Sequence, residues 1–168
     1  MKEVFKTPSL VRLALVAALY VVMTLMLPAL SFGPVQMRVS EILVLLCFYR
    51  RDYSVALVLG CFIANCFSPM ALLDMIFGTL ATAIAVIPMY SVKNIWAASL
   101  LPVASNAVIV GIELNIAFGE PIWMSVLTVG IGELAAVTVL GCVLFRFVLE
   151  KNGRFMSAIG SKKTGIDI

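Results

Sequence analysis

The chain has 168 residues, of which 62% are hydrophobic and only 12% are charged, and its formal net charge is +3. This composition excludes an ordinary water-soluble domain, in which about a quarter of the residues are charged. The basic residues are spread over the two ends and the short turns, so we expect no nucleic-acid partner.

Six apolar segments predict an all-α membrane protein, a six-transmembrane-helix bundle that forms one integral membrane domain over residues 1–168. The first, residues 10–30, is too long for the apolar part of a signal peptide and predicts a retained helix. The second, residues 35–49, reaches only about 22 Å at 1.5 Å per residue, so its start must lie inside the protein. The other predicted helices are residues 53–67, 70–90, 95–118 and 122–149, and a polar cytoplasmic tail follows at 150–168.

The basic residues predict an orientation in which both termini are cytoplasmic, because cytoplasmic turns of membrane proteins are rich in Lys and Arg. With the amino terminus inside, eleven of the twelve basic residues fall on the cytoplasmic side: Lys2, Lys6, Arg12, Arg50, Arg51, Lys93, Arg146, Lys151, Arg154, Lys162 and Lys163. Arg38 is the exception.

Seven polar residues lie within the apolar segments: Arg38, Glu41, Asn65, Asp74, Asn106, Glu113 and Glu133. A charge in the hydrocarbon costs about 2.5–3.5 kcal/mol on insertion scales, so each charge calls for a partner or a function. In the predicted topology most of the seven lie near outward-facing helix ends. Glu133 is about 15 Å along its helix from Trp123, which places it near mid-membrane as the floor of an outward-facing site.

Two interpretations of these polar residues remain open on the residues alone. In one, they are interhelical hydrogen bonds that hold the bundle together, and Arg38 neutralises Glu41, three positions away on the same helix face. In the other, they bind a ligand. One arginine cannot neutralise four carboxylates, and the surplus of about three negative charges favours a cation, protonation or a ligand with several donors.

Ala14 and Ala18 form a small-x-x-x-small pair on the first predicted helix. Such a pair lets another helix approach closely. On the residues alone, packing within this chain is the expected use of the pair.

The ordered motifs resemble the QueT family of queuosine-precursor transporters, which are substrate-binding (S) components of energy-coupling factor (ECF) transporters. The resemblance covers roughly residues 10–149 and is carried by their order and spacing. The motifs are Phe32-Gly33-Pro34-Val35-Gln36-Met37-Arg38-Val39-Ser40-Glu41, Gly60 with Ala64-Asn65, Asp74 with Gly78-Thr79 and Ala81-Thr82, Asn106-Ala107 with Val110-Gly111 and Glu113-Leu114, and Gly132-Glu133.

The resemblance implies a six-helix fold of the ECF S-component type in the plasma membrane of a prokaryote. It implies uptake of a 7-deazaguanine base from outside, such as 7-aminomethyl-7-deazaguanine or queuine, with the seven polar residues as the binding site. Glu113 or Glu133 is expected to bind the base edge, and another carboxylate the ammonium group. It also implies that Ala14 and Ala18 dock on a transmembrane coupling subunit, which works with two ATPase subunits.

Two other classes of function are alternatives to this one. A stand-alone secondary transporter of a small cationic or purine-like solute would use a mid-membrane carboxylate such as Glu133 to take up a proton. An enzyme is not expected, because histidine is absent and no nucleophile stands beside a base. The chain has no G-x-x-x-x-G-K-[ST] loop, so ATP hydrolysis is expected in separate subunits. No metal and no cofactor are expected.

Overall fold

The structure, a computed structural model, describes residues 7–33 and 37–160, and every regular element within these ranges is helical. The helices are α1 (Thr7–Met26), α2 (Pro28–Ser31), α3 (Val39–Tyr49), α4 (Tyr53–Asn65), α5 (Ala71–Met89), α6 (Ile95–Phe118), α7 (Ile122–Leu149) and α8 (Gly153–Ile159). The prediction of an all-α protein is confirmed for this part of the chain. Lys2, Lys6, residues 35 and 36 of the second predicted helix and residues 161–168 of the predicted tail lie outside the described residues.

Four of the helices, α1, α5, α6 and α7, are long and apolar enough to cross a membrane, whereas α3 and α4 are shorter apolar helices. Large apolar side chains cover the outside of the bundle, among them Leu15, Leu72 and Ile131, which are each more than 60% exposed. A water-soluble domain does not expose so much apolar surface, and lipid is the environment that suits it.

The short helix α3 lies at the centre of the bundle, in contact with α1, α4, α5, α6 and α7. Its first part, Val39–Leu45, is a 3₁₀-helix, which rises about 2 Å per residue, and its last turn is α-helical. Ser40 and Glu41 in its first turn are fully buried. This agrees with the expectation that the second helix starts inside the protein.

Two glycines allow the outer helices to pack closely around α3. A Cβ on Gly60 of α4 would lie 3.1 Å from the carbonyl oxygen of Ala17 on α1. A Cβ on Gly111 of α6 would lie 2.8 Å from Cγ2 of Val126 on α7. Both glycines let their helix approach the neighbouring helix closely, and these are two of the helix pairs that surround the polar side chains.

Helix α7 changes geometry at Glu133. The helix is α-helical from Ile122 to Glu133 and then continues as π-helix over Leu134–Gly141 and Leu144–Leu149. π-Helical turns are rare and often accompany functional sites. The wider turns begin directly after the one buried carboxylate of this helix.

The short helix α8, which the sequence did not predict, is held by its carboxyl end. The carbonyl oxygen of Ala158 accepts a hydrogen bond from Arg12 at 3.0 Å, and that of Ile159 accepts one from the Tyr53 hydroxyl at 2.9 Å. Arg50 donates to the carbonyl oxygen of Gly160 at 3.5 Å. Cationic side chains at a helix carboxyl end stabilise it, so α8 ties α1 to the α3–α4 turn.

Candidate functional site

All seven polar side chains singled out from the sequence are buried, and none is more than 4% exposed. They come from five helices or their immediate ends. Arg38 and Glu41 belong to the start of α3, Asn65 to the end of α4, Asp74 to the first turn of α5, Asn106 and Glu113 to α6, and Glu133 to α7.

Arg38 pairs with Asp74. Its Nη2 lies 3.0 Å from Oδ1 of Asp74, and its Nε donates to the carbonyl oxygen of Ser31 at 3.3 Å. The centre of its guanidinium group lies 5.7 Å from the ring centroid of Phe32, a cation–π distance. The interpretation in which Arg38 pairs with Glu41 is therefore wrong. Arg38 precedes the first helical residue in an extended conformation, so the three-residue spacing does not bring the two side chains onto one helix face.

Both carboxylate oxygens of Asp74 have partners within the chain. Its Oδ1 faces Arg38, and its Oδ2 accepts a hydrogen bond from the Ser68 hydroxyl. The backbone carbonyl oxygen of the same residue accepts from Nδ2 of Asn65 at 2.7 Å. Asp74 and Asn65 thus join the facing ends of α4 and α5, and Asp74 neutralises the only arginine of the cluster.

Gly78 makes room for this pair on α5. A Cβ at this position would lie 2.8 Å from Nδ2 of Asn65 and 3.2 Å from Nη1 of Arg38. An amide and a guanidinium group thus lie against the backbone of this residue.

Glu41 is held by neutral donors. Its Oε1 accepts a hydrogen bond from the hydroxyl of Tyr20 on α1 and a second, at 3.5 Å, from the hydroxyl of Thr82 on α5. Its Oε2 is buried and has no hydrogen-bond partner among the residues that the structure describes. Sequence reasoning missed Tyr20, because a tyrosine in an apolar helix is usually part of the packing.

Glu113 and Glu133 complete the cluster. Both oxygens of Glu113 are buried without a hydrogen-bond partner from any described residue, and so is Oε2 of Glu133. The electrostatic neighbours of Glu113 are Asp74 and Arg38. Those of Glu133 are Glu41, Arg38 and the amide of Asn106. The structure therefore brings the predicted residues together around one arginine.

The cluster has acceptors in excess of donors. After Arg38 and Asp74 have paired, three carboxylates remain, and five of the cluster's buried oxygens have no donor in residues 7–33 and 37–160: Glu41 Oε2, Asn65 Oδ1, Glu113 Oε1, Glu113 Oε2 and Glu133 Oε2. A buried acceptor without a donor costs about 1–3 kcal/mol, and more if it is charged. The arrangement suits a cationic molecule with several N–H donors.

A small cavity adjoins the cluster at the end of the bundle where α6 and α7 meet. It has a volume of about 140 Å³ and is lined by Phe32, Gly33, Leu114, Phe118 and Glu120. Phe32 lies between this cavity and Arg38, and Leu114 follows Glu113 along the chain. The cavity thus lies beside residues that border the polar cluster, and none of the seven polar residues lines it.

Ala14 and Ala18 are exposed on the outer face of α1. On the inner face of the same helix, Ala17 packs against Gly60 of α4 and Tyr20 is buried. The expectation from the residues alone, that Ala14 and Ala18 pack within this chain, is therefore wrong. Their surface is open to lipid or to another protein.

Comparison with known proteins gives a family and one close relative. The family model described as QueT transporter matches residues 10–150. The queuosine precursor transporter QueT of Lactococcus lactis subsp. cremoris (strain MG1363) is 43% identical over 81 residues. The matched segment is 47% of this chain and 47% of that relative, so it spans about half the length of each. No solved structure shows a significant match.

Proposed function

Because the chain belongs to the QueT transporter family, we propose that it binds a 7-deazaguanine queuosine precursor outside the cell and delivers it for import. The family is one of transporters, and the long apolar helices make this chain a multi-pass protein of the cell membrane. The favoured substrate is 7-aminomethyl-7-deazaguanine. Queuine is a related deazaguanine of the same class.

The observation that carries the proposal is the excess of buried acceptors around Arg38. An aminomethyl deazaguanine has an ammonium group and a guanine-like edge with several N–H donors, and carboxylates form strong charge-assisted hydrogen bonds with such groups. A ligand that is rich in donors and positively charged therefore satisfies the cluster. A neutral ligand can donate hydrogen bonds to the carboxylates but brings no positive charge to them.

Glu113 is the best match for the base edge. It is the one carboxylate of the cluster that has both oxygens without a partner among the described residues. Two adjacent N–H donors on a planar edge bind two oxygens of one carboxylate side by side, which adds geometric specificity. Asn106 and Glu133 lie next to each other on α6 and α7 and supply an amide and a further oxygen for the rest of the base.

The proposed role is that of an S component in an ECF importer. In this role, a transmembrane coupling subunit docks on α1 at Ala14 and Ala18, and two ATPase subunits supply the energy. The exposure of both alanines supports the docking. The chain has no nucleotide-binding loop of its own.

We propose that six helices span the membrane, α3 and α4 being the short ones, and that both termini are cytoplasmic. The contacts of α8 support this orientation, since they gather Arg12 and Arg50 at one end of the bundle, whereas the small cavity beside Phe32 lies at the end formed by the α6–α7 turn. The basic end is the cytoplasmic one in membrane proteins.

Titration of the purified chain tests the proposal. Isothermal calorimetry and native mass spectrometry with 7-aminomethyl-7-deazaguanine, queuine, guanine and riboflavin should show one-to-one binding of a deazaguanine and none of riboflavin. Absence of binding to every deazaguanine would overturn the substrate. Uptake by proteoliposomes that contain this chain alone, driven by a pH gradient, would overturn the ECF role in favour of a proton-coupled secondary transporter.

A further inference from the structure

Helix α1 presents a polar inner face to the start of α3. Tyr20 and Thr24 are four residues apart, so they lie on one face of the helix, and each is 1% exposed. Thr24 donates to the hydroxyl of Ser40 at 2.7 Å, and Tyr20 donates to Glu41. The helix that carries the exposed alanines thus also contacts the polar cluster directly.

The hydrogen bonds of Glu41 differ in kind from those of Asp74. Asp74 is neutralised by a cation, Arg38, at 3.0 Å. Glu41 accepts instead from two neutral hydroxyl groups, those of Tyr20 and Thr82. Hydroxyl donors bind a carboxylate without forming an ion pair, so Glu41 has no ion-pair partner among the described residues, and a cationic ligand can supply one.

The two hydroxyl groups also fix the direction of the free oxygen. Both bind Oε1, so the plane of the carboxylate is held from α1 on one side and from α5 on the other. Oε2 is left as one buried acceptor without a partner among the described residues. A single oriented acceptor suits one ammonium group, whereas the two free oxygens of Glu113 suit the edge of a planar base.

We propose that Oε2 of Glu41 binds the cationic group of the ligand and that Tyr20 is the positioning residue for this carboxylate. The inference rests on the proposed function and deepens it, because it assigns the charge preference of the transporter to one subsite shared by α1 and α3. Ligands with the ammonium group bind through this subsite. The neutral nitrile analogue, 7-cyano-7-deazaguanine, makes no ion pair there.

The test compares the affinities of the full chain for the aminomethyl compound and for the nitrile, measured by calorimetry on the wild type and on Tyr20→Phe, which keeps the ring and removes the hydroxyl. The affinity of Tyr20→Phe for the aminomethyl compound should fall about tenfold, as expected when a hydrogen bond to a charged group is lost. Its affinity for the nitrile should change less than about twofold, which is within the usual error of additivity.

Tyr49→Phe is the matched control. Its hydroxyl also donates to a glutamate, Oε1 of Glu150 at 2.6 Å, but this pair lies near the end of α7 and away from the cluster. We expect the ratio of the two affinities to stay at its wild-type value in this variant. A fall in the ratio as large as that of Tyr20→Phe would overturn the assignment, because it would show a general effect of losing a buried hydroxyl.

A double-mutant cycle with Glu41→Gln decides whether Tyr20 acts through Glu41. Glu41→Gln should itself lower the preference for the cationic ligand, and Tyr20→Phe should have no further effect in that background. Equal effects of Tyr20→Phe in both backgrounds would overturn the positioning role. A charge preference lost in Glu133→Gln and retained in Glu41→Gln would overturn the subsite.

Thr82→Val is a second, independent test of the Glu41 subsite in case Tyr20→Phe does not fold. The Thr82 hydroxyl lies 3.5 Å from the same oxygen and also donates to the carbonyl oxygen of Gly78 at 3.0 Å, so its loss should lower the preference in the same direction and by less. An unchanged preference in Thr82→Val would contradict the proposal. If the wild type binds neither compound, the proposed function fails as well, whereas wild-type binding without an effect of Tyr20→Phe overturns this inference alone.

Discussion

Nη2 of Arg38 lies 3.0 Å from Oδ1 of Asp74, and both side chains are almost completely buried. The pair joins the segment before α3 to the first turn of α5. It engages the only positive charge of the polar cluster, so Glu41, Glu113 and Glu133 have no ion-pair partner among the described residues. The ion pair therefore leaves these three carboxyl groups to a ligand.

Removing Arg38 should destabilise the protein more than removing Asp74. Arg38→Gln leaves four buried carboxylates with no cation, and breaking a buried pair in this way costs about 3–5 kcal/mol. Asp74→Asn leaves Arg38 near Glu113 and Glu41, which keep it partly compensated. Melting midpoints in detergent should therefore fall further in Arg38→Gln, and the double variant should be more stable than Arg38→Gln alone. Equal losses in the two single variants would contradict this account.

Glu113→Gln should have opposite effects on stability and on binding. The substitution replaces a buried carboxyl group that has no hydrogen-bond partner among the described residues, so the melting midpoint without ligand should rise. It also puts an amide N–H where the ligand presents donors, and deazaguanine affinity should fall by at least about thirtyfold, or about 2 kcal/mol. Melting curves and calorimetry measure the two effects.

Glu120→Gln is the control for this variant, because Glu120 is partly exposed and lies in the α6–α7 turn at the outer cavity. Its melting midpoint and its affinity should both stay within a small margin of the wild type. A Glu113→Gln protein that is less stable and binds as well as the wild type would show that Glu113 has a structural role only.

The sequence predicted which polar residues cluster inside the bundle, because charged residues in apolar helices must face its interior. It did not identify the pairs. The partner of Arg38 depends on where α3 starts. That start is a 3₁₀-helix, and the spacing of apolar residues in the sequence does not predict it. Tyr20 was missed because its ring fits an apolar helix, and its role depends on a contact with a residue 21 positions away.

Helix α8 also depends on contacts that the local sequence does not show. Isolated helices of this length are unstable, and their formation depends on tertiary contacts. The contacts that hold α8 come from Arg12, Arg50 and Tyr53, which lie more than 100 residues away in the chain. Such contacts are not visible in the local sequence, which predicts only a polar tail for residues 150–168.

Gly78→Ala should damage the site without removing any polar group. The added Cβ would lie 2.8 Å from Nδ2 of Asn65 and 3.2 Å from Nη1 of Arg38, so both side chains must shift. We expect the free energy of unfolding and the free energy of ligand binding each to weaken by about 1–3 kcal/mol, as for other overpacked sites, and the melting midpoint to fall accordingly.

Gly130→Ala is the matched control, since its Cβ would meet only Cβ of Ala107, at 3.5 Å. Equal effects of the two substitutions would show that the close approach at Gly78 is unimportant.

Ala14→Trp and Ala18→Trp should separate ligand binding from transport. Both alanines are exposed on the face of α1 opposite Tyr20, so a large side chain there blocks the close approach of a partner helix and does not enter the polar cluster. Calorimetry on the purified variants should give the wild-type affinity. Uptake by cells that contain the coupling subunits should fall at least about tenfold, which is the loss expected if docking weakens by about 1.4 kcal/mol.

Ala104→Trp, on the exposed face of α6, is the matched control and should retain uptake. Loss of ligand affinity in the α1 variants would instead show that this face supports the fold, and normal uptake in them would exclude it as the docking surface.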